Sequence, residues 1–112
     1  MITIYHNPRC QKSRTALAHL EAKSEKIKVV EYLKNTPSEK ELKELLSLLK
    51  LKPIDIVRKK ESIYIEKYKN GNYTDSEWIK ILVENPVLIE RPIVVKDNSA
   101  CIARDETTVN KL

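Results

Sequence analysis

Short runs of β-branched and aromatic residues alternate along the chain with longer stretches in which leucines recur three and four positions apart. The two periods predict different elements, strands for the first and one-sided helices for the second. "ITIYH" (2–6) and "IKVVEYL" (27–33) read as strands, and the amphipathic stretch from Ser13 to Lys23 reads as the helix between them. A strand, a helix and a second strand in that order predict a βαβ unit with parallel strands.

Two further helices carry their own start signals. "TPSEKELKELLSLL" predicts Thr36 as N-cap, Pro37 at the first helical position and Glu39 closing a capping box, with Leu42, Leu45, Leu46 and Leu49 as the buried stripe. "TDSE" repeats the box with Thr74 and Glu77 ahead of Trp78, Ile79, Leu82 and Val83. The single glycine, Gly71 in "NGN", marks a loop. Beyond it, "PIVV" and "ACIA" flank "KDNS" as a hairpin, and "DETTVNKL" closes the chain with a short helix. The expected architecture is α/β in a single domain, 1–112: a mixed four-stranded sheet built from the βαβ unit and the ββ hairpin, helices on its faces, and an all-helical insertion over about 36–86.

Composition narrows the class. With 112 residues, 41% hydrophobic and 33% charged, the chain matches one ordinary globular domain. No apolar run is long enough to span a bilayer. The strand-like start directly after Met1, with no charged-then-apolar leader, predicts a cytoplasmic protein. The net charge is +5, but the lysines alternate with glutamates, as in "SEKELKELL", and no aromatic-flanked basic stripe occurs, which argues against nucleic acid as a partner. His6, Cys10, His19 and Cys101 show none of the paired metal-ligand spacings, so no metal site is expected.

The chemistry concentrates in "YHNPRCQKSRTAL", residues 5–17. Here Cys10 stands at the junction of the first strand and first helix, on the carboxyl edge where open α/β sheets bind ligands. Free N–H groups and the positive helix end favour thiolate over thiol there. His6, Arg9, Lys12 and Arg14 add donors or cations close by in sequence. Cys10 therefore reads as an anionic nucleophile. Cys101, on a predicted hairpin strand, reads as a buried small hydrophobe.

"IYHNPRCQKSRTAL", "VRKKESIY" and "NPVLIERPIVV" together resemble the arsenate reductase family of the glutaredoxin-coupled, thioredoxin-fold type, over residues 2–109. The resemblance implies a thioredoxin-like fold, with Cys10 as the nucleophile and His6 as the residue that helps ionise it. It also implies an oxyanion clamp of Arg58, Arg91 and Arg104, with Arg14 and Ser13 of the opening motif in the same substrate-binding set. Pro92 would be the cis-proline beside the reactive cysteine. The implied reaction converts arsenate to arsenite through cysteine-bound arsenic. Glutathione and glutaredoxin supply the electrons, and no cofactor is bound.

Two positions depart from the family pattern: Gln11 follows the cysteine where a small residue is usual, and Asp105 follows Arg104 where proline is common. Ser13 stands where the related Spx-type regulators, which bind RNA polymerase, often carry the second cysteine of a Cys-x-x-Cys pair. A general glutathione-linked thiol-disulfide oxidoreductase and an RNA polymerase-binding regulator are the alternatives to arsenate reduction.

Overall fold

In the computed structural model, residues 2–23 and 26–103 are described. The expected closing helix, Arg104 and Asp105 lie outside them. The chain divides into two compact units, one formed by residues 1–35 and 91–112, the other by 36–90.

The first unit is the sheet. β1 (Ile2–Tyr5), α1 (Gln11–Ala22), β2 (Ile27–Val30), β3 (Ile93–Lys96) and β4 (Ser99–Ile102) follow in chain order. The strands lie in the order β2-β1-β3-β4. β2 runs parallel to β1, with Ile2 opposite Ile27 and Tyr5 opposite Val30. β3 runs antiparallel to both β1 and β4. This is the mixed four-stranded sheet of a thioredoxin-like fold. Alternation along β1 buries Ile2 and Ile4, and α1 turns Ser13, Ala16 and Leu20 inward at helical spacing. Ile2, Ile4, Ala16, Leu20, Val94 and Ala103 form one core cluster, with Leu17, Ile27 and Cys101 packed against it. β2 is shorter than the expected 27–33: the amides of Lys34 and Asn35 both donate to the Glu31 carbonyl, so the chain turns where the ladder would have continued.

The second unit is helical. α2 (Glu39–Leu49) packs against α3 (Asp75–Glu84). A 3-10 turn (Pro53–Ile56), a π-helical turn (Tyr64–Tyr68) and a second 3-10 turn (Pro86–Leu88) complete it. α2 starts two residues later than its sequence suggests. Ser38, not Thr36, is the N-cap, its hydroxyl accepting from Glu41 N–H while the Glu41 carboxylate accepts from Ser38 N–H. Pro37 is buried ahead of the helix rather than inside its first turn. α3 starts where expected, with Thr74 and Glu77 reciprocally bonded. Leu42, Leu45, Leu46, Trp78, Ile79 and Leu82 are the buried face of the pair. Tyr64, Tyr68 and Tyr73 gather around Trp78 with ring centroids 5.0 to 6.3 Å away. A side chain at Gly71 would run into the Tyr73 ring, which is why this loop position is glycine. No helix among the described residues is long and apolar enough to cross a membrane.

Candidate active site

The loop between β1 and α1 contains no glycine and is held by polar contacts instead. His6 N–H donates to the Val30 carbonyl at 2.8 Å, extending the β1–β2 pairing by one bond. The hydroxyl of Ser13, fully buried, accepts from Asn7 N–H at 3.0 Å and shares a 2.6 Å hydrogen bond with His6 Nδ1. Asn7 Oδ1 accepts from Arg9 N–H at 3.0 Å, and Cys10 N–H donates to the Asn7 carbonyl at 3.0 Å. On the outer side Arg14 Nη1 donates to the Pro8 carbonyl at 2.9 Å. The side chains of Ser13 and Arg14 are thus both engaged in fixing the loop.

The loop delivers Cys10 as the N-cap of α1, with an extended backbone. No acidic residue sits in the first helical turn, which leaves the positive helix end uncompensated. The sulfur makes no cap bond of ordinary geometry. Even so, the N–H groups of Ser13 and Lys12 face it closely enough to favour its anion. Burial pushes the Cys10 thiol up, but Ser13 N–H, a hydrogen bond from the Arg91 guanidinium, the Arg91 charge and Lys12 N–H together outweigh it, so the thiol lies below its ordinary value of 9.0.

His6 enters this balance through geometry rather than charge. Its burial holds it below 6.5 against the upward pull of Glu31, so the ring is neutral near pH 7. The cation beside the sulfur is Arg91, which precedes β3 and is joined to Pro92 by a cis peptide bond. Two of its guanidinium nitrogens, Nε and Nη1, are buried without a hydrogen-bond partner.

Arg58 lies in the helical unit, where Glu61 Oε1 accepts from its Nη1 at 2.7 Å and the Glu90 carboxylate is 3.8 Å from its Nε. Arg104 lies outside the described residues. Cys101 is half-buried on β4, and burial raises its thiol above 9.0. Gln11, the first helical residue, is exposed. Among the described residues no group of three or more His, Cys, Asp or Glu side chains comes together.

Two residues at the site were absent from the sequence reading, Asn7 and Tyr32. Asn7 stands inside the opening motif, and its pairing with a serine six positions on is a loop-closing pattern with no periodic signature. Tyr32 was hidden by being read as part of a strand. In fact it lies past the end of β2, 1% exposed, where burial pushes its hydroxyl up to about 12 and the nearby Arg91 draws it down.

The profile of the ArsC family matches residues 5–112. The chain is 37% identical over 105 residues to an arsenate reductase of Neisseria meningitidis, covering 92% of this chain and 90% of the relative. It is equally similar, 37% over 105 residues and 88% of the relative's length, to the uncharacterized protein YfgD of Escherichia coli K12. A solved structure of an arsenate reductase from Vibrio cholerae superposes with a TM-score of 0.91 at 38% identity, covering 99% of this chain and 97% of that one. A cysteine capping the first helix of a thioredoxin-like sheet, an arginine ahead of a cis-proline, and likeness over nearly the full length all agree, and the chain belongs to the ArsC family.

Proposed function

We propose that the protein reduces arsenate to arsenite, with Cys10 as nucleophile and glutathione and glutaredoxin as the source of electrons. The observation that supports this reading best is Arg91, whose guanidinium favours the Cys10 thiolate while two of its nitrogens, Nε and Nη1, are buried without a protein partner. A buried donor without a partner is costly. A tetrahedral oxyanion arriving at the sulfur removes that cost by accepting from the guanidinium, and the same charge offsets the repulsion between thiolate and arsenate.

In this reaction Cys10 Sγ bonds to arsenic as one arsenate oxygen leaves as water. A glutathione thiolate then attacks Sγ. The electron pair of the S–As bond stays with arsenic, which departs as arsenite, and Cys10 is left in a mixed disulfide that glutaredoxin and a second glutathione reduce. In total, two electrons pass to arsenic and two thiols become one disulfide. Arg58 and Arg104 are the further oxyanion donors assigned by the resemblance. Arg58 serves only once its carboxylate partners release it.

Arsenate-dependent oxidation of NADPH in the presence of glutathione, glutaredoxin and glutathione reductase tests the reading. Wild type turns over and Cys10→Ser does not. Absence of turnover in wild type, with mixed disulfides still reduced, points to the general oxidoreductase instead.

A further inference from the structure

Tyrosine apart, the buried polar side chains among the described residues are His6, Asn7 and Ser13. All three lie in the loop that presents Cys10 or in the helical turn that follows it. Cys10 caps α1, so Ser13 is the third residue of the helix, and its hydroxyl reaches back across the loop to the end of β1.

The hydrogens at that hydroxyl can be counted. The Asn7 backbone N–H donates to Oγ at 3.0 Å, a bond whose direction is fixed. The other neighbour within hydrogen-bond reach is His6 Nδ1 at 2.6 Å. Were the imidazole proton on Nδ1, two donors would converge on Oγ. The hydroxyl's own hydrogen would then be buried with no acceptor, since the Ser13 side chain makes no third hydrogen bond among the described residues. With the hydroxyl donating to Nδ1, each of these groups is satisfied, and the ring's proton is on Nε2. An imidazolium carries hydrogen on both nitrogens, so protonating His6 would strand the same hydroxyl hydrogen. The charges that bear on the ring are Glu31 after β2 and Arg14 and Glu21 on α1. They pull in opposite directions, and burial decides, holding His6 below 6.5.

We propose that Ser13 is a positioning residue of the Cys10 loop: its hydroxyl donates to His6 Nδ1 and fixes His6 as the neutral Nε2–H tautomer, so the histidine of the motif serves the site as a hydrogen-bond donor and not as a cation. This rests on the reading of that loop as the active site. It gives the serine a task distinct from substrate binding and leaves the cationic part to arginine.

Imidazole nitrogen NMR of the full-length protein near neutral pH reads the tautomer directly, with His19→Gln removing the one other histidine to assign the signals. Wild type shows a protonated Nε2 and a bare Nδ1; a protonated Nδ1 overturns the proposal. In Ser13→Ala the donor is gone and Nδ1 is open to hydrogen, so both tautomers appear and the His6 titration midpoint rises by about half a unit or more. The kcat/KM for arsenate falls about tenfold. A serine that only packs the loop together moves neither the tautomer nor the midpoint. Unchanged His6 signals in folded Ser13→Ala overturn the proposal, and so does a changed tautomer with unaltered kcat/KM. A bare Nδ1 in a wild type that does not turn over arsenate supports the tautomer assignment and sinks the arsenate reading alone. Should Ser13→Ala not fold, the wild-type spectrum decides.

Discussion

The two units each present an arginine that the sequence points to, and the two differ in what surrounds them. Arg58 in the helical unit shares a 2.7 Å ion pair with Glu61 and has Glu90 at 3.8 Å. Arg91 in the sheet unit has a sulfur and a phenol for company and keeps two buried nitrogens unpartnered. An ion pair of the first kind is satisfied and structural, contributing little at such exposure. The second arrangement leaves buried polar nitrogens without a protein partner, which calls for an explanation, and an oxyanion at the sulfur is the one proposed above. Both arginines fit the family pattern equally well by sequence. Only their neighbours tell them apart.

The largest test of that contrast removes the anion that Arg91 serves. Cys10→Ser replaces a thiolate with a hydroxyl that does not ionise at working pH, and arsenate-dependent NADPH oxidation falls by at least about a thousandfold. If a substantial fraction of the rate survives, the sulfur is not the nucleophile and the role of Arg91 has to be found elsewhere.

Removing the arginines themselves sharpens the comparison. Loss of a preorganised donor to a developing oxyanion costs roughly 10²–10³ in rate, and this is the effect expected of Arg91→Ala on kcat/KM for arsenate. Arg58→Ala should cost about tenfold, equivalent to about 1.4 kcal/mol, because carboxylates already offset its charge. Glu61→Gln works in the opposite direction, lowering the arsenate KM by freeing Arg58. Equal losses at the two arginines, or a Glu61→Gln variant with unchanged KM, would mean that the surrounding groups do not set their roles.

How far this site could be read in advance depended on the range of the interactions involved. Cys10 at a strand-to-helix junction was legible because local sequence alone places a helix start there, and "TDSE" announced α3 for the same reason. The cation beside the sulfur was not. By position in the chain, His6, Arg9, Lys12 and Arg14 looked like the neighbours, yet the arginine that reaches Cys10 comes from 81 residues further on, before β3. Nothing in periodicity connects those positions; only the family motif "ERPIVV" did. Tyr32 was concealed by a strand read three residues too long, since β-branched and aromatic residues continue past Val30 while the hydrogen-bond ladder does not.

A smaller effect separates the two cysteines, one beside Arg91 and one without a cation. Cys10 lies below 9.0 and Cys101 above it, so limiting iodoacetamide between pH 7 and 8 labels Cys10 first, with Cys101 following at higher pH. The sign carries over to stability. A thiol lowered by folding adds stability that is complete above 9.0 and disappears as pH falls through the lowered value, whereas Cys101 subtracts stability as pH rises past 9.0. His6, held below 6.5 by burial, costs stability as pH drops beneath 6.5. Peptide mapping after brief alkylation reads the order of the thiols, and Cys101 labelled ahead of Cys10 would remove the electrostatic difference between them.

The smallest expected effect concerns the helical unit alone and separates two overlapping signals. "TPSE" and "SEKE" both satisfy the capping-box rule, one with Thr36 and Glu39, the other with Ser38 and Glu41. Local rules cannot choose between them. What separates them is Pro37, which is buried just before α2, while the Ser38 hydroxyl satisfies Glu41 N–H and the Glu41 carboxylate satisfies Ser38 N–H. Ser38→Ala leaves a helix-start amide to water and costs about 1 kcal/mol in urea unfolding, and Thr36→Ala costs less. Arsenate turnover by both variants should match wild type, because the Cys10–Arg91 contact belongs entirely to the sheet unit. A Ser38→Ala variant that lost activity in proportion to its stability would show that the start of α2 matters to turnover as well as to folding, which the contrast between the two arginines does not predict.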